Sequence, residues 1–160
     1  QIGWMFLFIL VVSANANSCD EWGGSSLPGS SKCFRASSGT SRSFDDADKM
    51  CQDSGARLAS IDSAAENEFV EGLIEAAGAQ RMWIGFTDEV EEGVWTWIDG
   101  SNTGFTHWSA GRPNNWRGMQ DCAVMESGHK TEHWNRADLG EWDDRPCSRS
   151  GYHYVCARTF

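Results

Sequence analysis

Hydrophobic residues recur at helical spacing in two stretches of the first half of the chain. The first stretch begins after Ser43, a typical helix N-cap, and ends before Gly55, which suits the left-handed position that closes many helices. Asp45 and Asp46 follow the cap, where the helix dipole favours acidic side chains. The pattern predicts a helix with one inward face, formed by Phe44, Ala47, Met50 and Cys51.

The second stretch has a stronger start signal, because Ser63 and Glu66 form the pattern of a capping box. Apolar residues then recur at helical spacing up to Gly78, and they are Phe69, Val70, Leu73, Ile74 and Ala77. The opposite face of this predicted helix is expected to be acidic and solvated, and it carries Glu66, Glu68, Glu71 and Glu75.

From residue 82 onward the pattern becomes that of β-strands. Residues 82–86 and 94–98 are apolar on both faces, which predicts two central strands. Residues 99–121 have no periodicity and are rich in Gly, Pro, Asn and Ser with two Trp, a composition typical of an ordered functional loop. Further strands are predicted at 57–61, 122–126 and 152–158. Two helices followed by strands and long loops indicate an α+β fold.

The N-terminal apolar run, residues 1–12, is too short to span a bilayer and precedes the small-x-small triplet Ala14-Asn15-Ala16. We therefore expect residues 1–16 to be a signal peptide and residues 17–160 to form one secreted, extracellular domain. Residues 17–42, rich in Gly and Ser, are expected to begin that domain as a hairpin. The six cysteines suit a disulfide framework, for which about fifteen pairings are open, and the absence of a CxxC pair argues against zinc.

Composition narrows the range of partners. The net charge is −10, which argues against nucleic acid or an anionic membrane as the partner, because both require a basic surface. Sugars, proteins, cations and mineral surfaces remain open. Nine tryptophans in a domain of this size predict a Trp-rich core together with a few exposed rings that stack on a ligand.

Several dispersed segments, in order along the chain, resemble the landmarks of the C-type lectin-like domain. They begin with Cys51. The others are Leu-Ala-Ser-Ile at 58–61, Trp-Ile-Gly-Phe at 83–86, Trp-Thr-Trp at 95–97, Asp-Cys at 121–122, Trp-Asp-Asp at 142–144 and Tyr-Val-Cys at 154–156. The resemblance covers residues 19–160 and implies two helices flanking antiparallel strands, with a long ligand-binding loop. It also implies the long, six-cysteine form of the domain, with the disulfides Cys19–Cys33, Cys51–Cys156 and Cys122–Cys147.

In sugar-binding members of that family, calcium is held by an EPN or QPD tripeptide, a Glu two residues before a cysteine, and a WND tripeptide. This chain has Arg112-Pro113-Asn114, then Gln120, then Asp143 and Asp144 at those positions. A guanidinium about 5 Å from calcium would repel it by roughly 7 kcal/mol at an effective dielectric of about 20. A micromolar site supplies only about 8 kcal/mol. Either Arg112 turns away from the site or no calcium binds there. We expect the second, with Arg112 replacing the ion by pairing with Asp143 or Asp144 and presenting donors to sugar hydroxyls.

The predicted carbohydrate-binding set adds one aromatic residue to these positions. Trp116 directly follows two asparagines and is expected to stack on a sugar face, whereas Trp108 is expected in the core. The alternative is a sugar site without function, in which Arg112 forms only a structural ion pair. By the resemblance, the peptide bond between Arg112 and Pro113 is cis. The full set is Arg112, Asn114, Trp116, Gln120, Asp143 and Asp144.

An auxiliary calcium site is expected beside the primary one. The loop from Thr87 to Gly93 resembles one that supplies two carboxylates in collagenous mannose-binding relatives. Three carboxylates and two neutral oxygens suit calcium. The alternative is an ordinary solvated acidic turn. The expected ligands are Asp88, Glu92, Asn115, Gln120 and Asp121.

One motif points to a different class of protein. His129-Lys-Thr-Glu-His133 matches the HxxEH form of inverted zinc proteases, but the segment has no apolar stripe to predict the helix that such a site requires. We therefore expect a binding protein and no enzyme: a lectin for glycans, including glycoproteins and microbial or self surfaces in innate recognition. The alternative is a protein-, ice- or calcium-mineral-binding use of the same fold. With six cysteines paired internally, any homo-oligomer is expected to be noncovalent.

Overall fold

Two helices and seven short strands form the part of the chain that the computed structural model describes, residues 18–41, 43–102, 104–127 and 140–160. The elements are β1 (Lys32–Ala36), α1 (Phe44–Gln52), β2 (Arg57–Leu58), α2 (Ala64–Ala76), β3 (Arg81–Thr87), β4 (Thr96–Trp97), β5 (Cys122–Glu126), β6 (Trp142–Arg145) and β7 (His153–Thr159). The predicted signal peptide and the HxxEH motif lie outside the described residues. Within those ranges, no helix has the length and apolar character needed to cross a membrane.

Both helices begin at the predicted caps. The Ser43 hydroxyl accepts a hydrogen bond from the Asp46 amide at 3.0 Å, and the Ser63 hydroxyl accepts one from the Glu66 amide at 3.2 Å. Glu66 in turn accepts from the amide of Asp62 at 2.9 Å, one residue before the cap. These bonds satisfy donors that a helix start otherwise leaves unpaired. The sequence signals for both helix starts are confirmed.

The faces of both helices differ from prediction at several residues. Met50, predicted to face inward, is 47% exposed, and Asp48 is buried in the same helix because its carboxylate accepts from Arg57 at 3.0 Å and from the Leu58 amide at 3.1 Å. Glu66 and Glu71, predicted to be solvated, are each 9% exposed. Glu66 is stabilised there by Lys32 at 2.9 Å. Asp48 and Glu66 are therefore buried together with a cation or a backbone amide, whereas Glu71 has a buried oxygen without a hydrogen-bond partner, and burial raises the pKa of Glu71.

The strands form a mixed sheet in the order β1-β7-β3-β5-β6. All pairs are antiparallel except β3 with β7, so the expected antiparallel arrangement holds with one parallel exception. The last strand, β7, lies between β1 on one side and β3 with β2 on the other. Together with the helices, this sheet confirms the predicted α+β class.

Strand lengths differ from prediction because pairing partners are not visible in a hydrophobic pattern. Residues 94–98 were expected to form a central strand, but within this range only β4 is a strand, and it pairs on one side, with β3. Val94 is 47% exposed. The predicted strand at 57–61 is limited to β2. Two strands, β1 and β6, were not predicted as such. β6 contains Asp143 and Asp144, and two consecutive charged residues do not give the hydrophobic pattern of a buried strand.

Two apolar clusters fill the interior. One is rich in aromatic rings, with Phe86 and Trp97 stacked at 4.3 Å and Trp142 fully buried beside them. Trp108, expected in the core, is partly buried and packs 5.8 Å from Trp142. The second cluster surrounds the disulfides and Trp83. The three bridges are Cys19–Cys33, Cys51–Cys156 and Cys122–Cys147, which is the pairing that the resemblance implies.

Candidate ligand-binding site

The long loop is attached to the sheet at the start of β6. The Trp142 amide donates to the His107 carbonyl at 2.8 Å, and the Ser109 amide donates to the Trp142 carbonyl at 2.9 Å. From α2, Asn67 accepts from the Trp142 indole at 2.8 Å and donates to the Gly140 carbonyl at 3.0 Å. A helix, a strand and the loop are therefore fixed together around one buried tryptophan.

The second attachment of the loop is a single carboxylate. Asp144, which is fully buried, accepts from the Asn114 amide at 3.0 Å and from the Asn115 amide at 2.6 Å. Both of its oxygens are engaged, since the Asn114 amide also lies 3.1 Å from the other one. Bonds from amides to an ionised acceptor are among the stronger hydrogen bonds in proteins. Asp144 therefore holds this part of the loop by its backbone.

Gln120 stabilises the loop by donating and by accepting hydrogen bonds. Its side-chain amide donates to the Asp144 carbonyl at 2.8 Å, its side-chain oxygen accepts from the Trp116 amide at 2.8 Å, and its own backbone amide donates to the Asn115 side chain at 3.0 Å. A glutamate in its ionised form has no donor for the Asp144 carbonyl. The glutamine thus makes a hydrogen bond to the Asp144 carbonyl that an ionised glutamate at this position could not make.

Arg112 stands where the calcium-binding pattern places an acidic or amide residue. Its Nε lies 3.0 Å from Asp143 and its Nη1 lies 3.9 Å from Asp144. The contact with Asp143 is an ion pair without hydrogen-bond alignment, since that Asp143 oxygen has no hydrogen-bond partner. The Arg112–Pro113 peptide bond is cis. A guanidinium at this distance from both aspartates does not fit a calcium ion between them.

The charge pairs continue beneath the site. Asp143 also contacts Arg145, which lies 3.1 Å from Glu126, and Glu126 in turn lies 2.6 Å from Arg81. Burial raises the pKa of Asp143, against the lowering effect of the Arg145 and Arg112 guanidiniums. Arg145, Glu126 and Arg81 were not predicted as site residues. The position of Arg145 directly after the Trp-Asp-Asp segment was the one available signal.

Beyond the charge network, the loop displays a short exposed segment, which we call the tip (Trp116–Gly118 and Met119). Trp116 is 56% exposed and Met119 is 50% exposed. The Arg117 guanidinium lies over the Trp116 ring at 4.1 Å. Asn115 and Arg117 have φ values of 39° and 62°, a left-handed conformation that is uncommon outside glycine. Arg117 was not predicted, although it directly follows Trp116.

The predicted carbohydrate-binding residues thus come together but in two layers. Arg112, Asn114 and Trp116 reach the surface, and the Arg112 side chain is 28% exposed. Gln120, Asp143 and Asp144 are buried beneath them, with exposures of 5% or less. In this arrangement the outer layer is accessible to a ligand, and the inner layer holds the outer layer in position.

Two of the predicted auxiliary calcium ligands meet directly after β3, where the Asp88 amide donates to the Asp121 carbonyl at 3.1 Å. Asp88 is 3% exposed; one carboxylate oxygen accepts from the Gly93 amide at 2.9 Å and the other is buried without a hydrogen-bond partner. Asp121 is fixed nearby, since its carbonyl accepts from the Thr87 hydroxyl at 2.6 Å. Burial raises the pKa of Asp88, and the negative charges of Glu92 and Asp121 raise it further.

An unpaired buried carboxylate oxygen and mutual repulsion are features that a bound cation would relieve. The three carboxylates are nevertheless not gathered to within 4.8 Å of one another. Among the described residues, the group that meets this distance is Glu89 with Cys122 and Cys147, whose sulfurs form a disulfide and are not available to a metal. Asn115 and Gln120, the other two predicted ligands, are engaged in the loop bonds described above.

Replacing Asp88 with asparagine is expected to stabilise the protein in chelator at neutral pH. Since the folded state raises the pKa of Asp88, its ionisation costs folding free energy as the pH rises through that pKa. The gain in Tm is therefore expected at pH 7–8 and is expected to vanish below the usual carboxyl range of about pH 4. Asp53→Asn, at an exposed position, controls for the loss of one negative charge. Equal pH profiles for wild type and Asp88→Asn would contradict the expectation.

The sequence profile of the Lectin C-type domain family matches residues 40–158. Lectin BRA-3 of Megabalanus rosa is 38% identical over 126 residues, which cover 78% of this chain and 69% of that protein. Two human relatives are longer proteins, of which this chain spans 31% and 33%.

Solved structures agree with the sequence matches. The mouse scavenger receptor C-type lectin carbohydrate-recognition domain has a TM-score of 0.67 and 29% identity, covering 85% of this chain and 93% of that chain. A calcium-independent type II antifreeze protein has the same TM-score and 28% identity, covering 85% of this chain and 92% of that chain. The disulfide pattern, the fold and the family match together show that the chain belongs to the C-type lectin domain family, with a C-type lectin-like fold.

Proposed function

We propose that this protein is a secreted glycan-binding lectin, without catalytic activity, whose primary site works without calcium. The observation that carries the proposal is the position of Arg112 against Asp143 and Asp144. The guanidinium supplies the positive charge that these two acids require, so no metal is needed to stabilise the loop. Relatives described as lectins support the glycan as ligand.

The electrostatics favour arginine over calcium at this position. At 4–5 Å from a guanidinium, a divalent cation would be repelled by roughly 7–8 kcal/mol at an effective dielectric of about 20. Both oxygens of Asp144 already accept backbone hydrogen bonds. The Gln120 side-chain amide donates to the Asp144 carbonyl, and the Gln120 side-chain oxygen accepts from the Trp116 amide. Together with the guanidinium charge, these contacts oppose calcium binding at the primary site.

Sugar contact is assigned to the outer layer of the site. Arg112 and Asn114 supply hydrogen-bond donors and an amide acceptor for hydroxyl groups, and Trp116 supplies an exposed ring for the apolar face of a sugar. Gln120, Asp143 and Asp144 act by holding these residues in place. The partners proposed are glycans on glycoproteins and on microbial surfaces.

We further propose that calcium binds at the auxiliary position, where Asp88, Glu92 and Asp121 would hold it and where it would relieve the unpaired Asp88 oxygen. Asn115 and the backbone carbonyl of Gln120 would add neutral oxygens. Added calcium is then expected to raise the Tm of the wild type, and Asp88→Asn is expected to abolish this rise. A wild-type Tm that does not respond to calcium would contradict an ion at this position.

The proposed function is tested by a glycan array run once with calcium and once with chelator. Binding in both conditions is expected. Trp116→Ala is expected to weaken it by about 1–2 kcal/mol, or five- to thirtyfold, through the lost ring contact. Phe160→Ala, an aromatic change at a 37% exposed position outside the loop, is the matched control. Binding that requires calcium would refute the metal-free primary site.

The double substitution Arg112→Glu with Gln120→Glu is expected to create calcium affinity at the primary site. It removes the repelling cation and supplies two carboxylates beside Asp143 and Asp144. Isothermal titration calorimetry with calcium measures the gain, and Arg117→Glu makes the same charge reversal at the exposed tip as a control. If the double variant gains no calcium affinity, the correspondence of this loop with calcium-binding relatives is wrong.

An absence of any glycan signal would favour the second candidate, a non-sugar ligand on the same fold. The likeness to a calcium-independent type II antifreeze protein and the net charge of −10 favour ice or a calcium mineral among such ligands. Thermal hysteresis and adsorption to calcium carbonate distinguish these two cases, and partner capture addresses a protein ligand.

A further inference from the structure

We infer that the glycan bound at this site carries an acidic group, a carboxylate or a sulfate, which the Arg112 and Arg117 guanidiniums recognise. The inference rests on the proposed function and names the ligand class of the same site. It follows from three properties of the outer layer: its charge, its balance of donors and acceptors, and the way in which Arg117 is held.

The first property is a local reversal of charge. The protein has a net charge of −10, yet the charged side chains that reach the surface from residues 112–120 are arginines. The two acids that face Arg112 are turned inward, with side-chain exposures of 6% for Asp143 and 0% for Asp144. An approaching ligand therefore meets the guanidiniums before the carboxylates that balance them. A local positive surface on an acidic protein favours an anionic ligand.

The second property is an excess of donors. A neutral sugar hydroxyl both donates and accepts, so a site for neutral sugars needs exposed acceptors as well as donors. The acceptors beneath this loop are turned inward: Asp144 accepts from the Asn114 and Asn115 amides, the Gln120 oxygen accepts from the Trp116 amide, and Asp143 lies beside Arg112 with a side chain only 6% exposed. Arginine adds donors alone. A carboxylate or sulfate offers acceptors alone and so matches this site better than a hydroxyl pair.

The third property is the fixed position of Arg117. Its guanidinium lies over the Trp116 ring at 4.1 Å, and its backbone has a φ of 62°. A stacked guanidinium keeps its N–H donors directed outward from its edge, where they can pair with a planar anion. One face of Trp116 is covered in this way, and the ring remains 56% exposed. The tip therefore offers an aromatic surface for a sugar ring directly beside a cation for its acidic substituent.

The test uses a glycan array of matched pairs in chelator, in which each neutral glycan stands beside its carboxylate-bearing and its sulfated counterpart. The acidic members are expected to bind at least about tenfold more tightly, which corresponds to about 1.4 kcal/mol. Arg117→Gln and Arg112→Gln are each expected to reduce this preference at least threefold. Because Arg112 is also assigned to contact with sugar hydroxyls, its variant is expected to weaken the neutral members as well, by a smaller factor than the acidic ones. Lys49→Gln removes the same charge from an exposed position on α1 and is the control.

The outcomes separate the two proposals. Equal binding of neutral and acidic members would overturn the acidic-ligand inference and leave the calcium-free lectin intact. An acidic preference that survives both arginine substitutions would also overturn it, because other charges would then be responsible. No binding to any glycan would overturn both. Preference for only the carboxylate or only the sulfate series would support the inference and identify the acidic group. Because Arg117 is exposed, the Arg117→Gln protein is expected to fold even if the Arg112→Gln protein does not.

Discussion

Replacing Cys51 and Cys156 together with alanine is expected to lower the free energy of unfolding by about 4–5 kcal/mol in the chain-entropy view of disulfides. The bridge joins residues separated by 105 positions, so it removes more freedom from the unfolded chain than a short bridge does. It links α1 to β7, and both sulfur-bearing residues are buried, with exposures of 0% and 2%. Since small domains have only about 5–15 kcal/mol in total, the loss is severe.

Equilibrium unfolding in urea measures this effect. The matched control is the pair Cys19→Ala with Cys33→Ala, whose bridge spans 14 positions and is expected to contribute about 3 kcal/mol. The same treatment of Cys122 and Cys147, 25 positions apart, is expected to fall between the two. A reversed order of the three losses would show that native packing around the sulfurs, and not loop length, decides their contribution.

The second large effect is expected from Asp144→Ala. This change removes the acceptor of the Asn114 and Asn115 amides and leaves Arg112 facing Asp143 alone. Removal of one partner from a buried charged set typically costs about 3–5 kcal/mol. Because the same carboxylate holds the loop that presents Trp116, glycan binding is expected to fall at least about tenfold, or 1.4 kcal/mol.

Urea unfolding and biolayer interferometry on an array-selected glycan measure the two effects of Asp144→Ala. Asp53→Ala, at a 67% exposed side chain, is the control for loss of one carboxylate. Asp144→Asn keeps the shape of the side chain but replaces one acceptor oxygen with an NH2 group. Because an NH2 group cannot accept from a backbone amide, this protein is expected to lose stability as well. Full glycan affinity in a folded Asp144→Ala protein would show that the loop does not depend on this carboxylate.

Prediction from sequence was correct for features that depend on neighbouring residues in the chain, and it was wrong or incomplete for features that depend on distant residues. Helix starts depend on a side chain and an amide three residues away, and Ser43 and Ser63 were correctly assigned. Strand lengths depend on partners far along the chain, which explains why β4 is short and why β6 was missed. The buried acids Asp48, Glu66 and Asp144 were beyond a hydrophobic pattern, because each is stabilised inside by cations or backbone amides.

At the candidate site, residue types predicted the charge pairing but not the layers. A cation among two acids predicts an ion pair, and Arg112 lies 3.0 Å from Asp143. That Asp144 is occupied by backbone amides was not predictable, since every residue other than proline carries the same N–H group. Arg145 and Arg117 were missed for a related reason: their roles depend on which neighbours the folded loop brings to them.

The place of β7 in the sheet has a consequence for biosynthesis. This strand follows all the other described strands in the chain, yet it lies between β1 and β3 and joins the two sides of the sheet. While the ribosome is still adding residues 153–159, the earlier strands have unpaired edges and an open gap between them. Such edges invite pairing between nascent chains. We expect folding helpers that bind exposed strands to act on this domain until β7 has been synthesised.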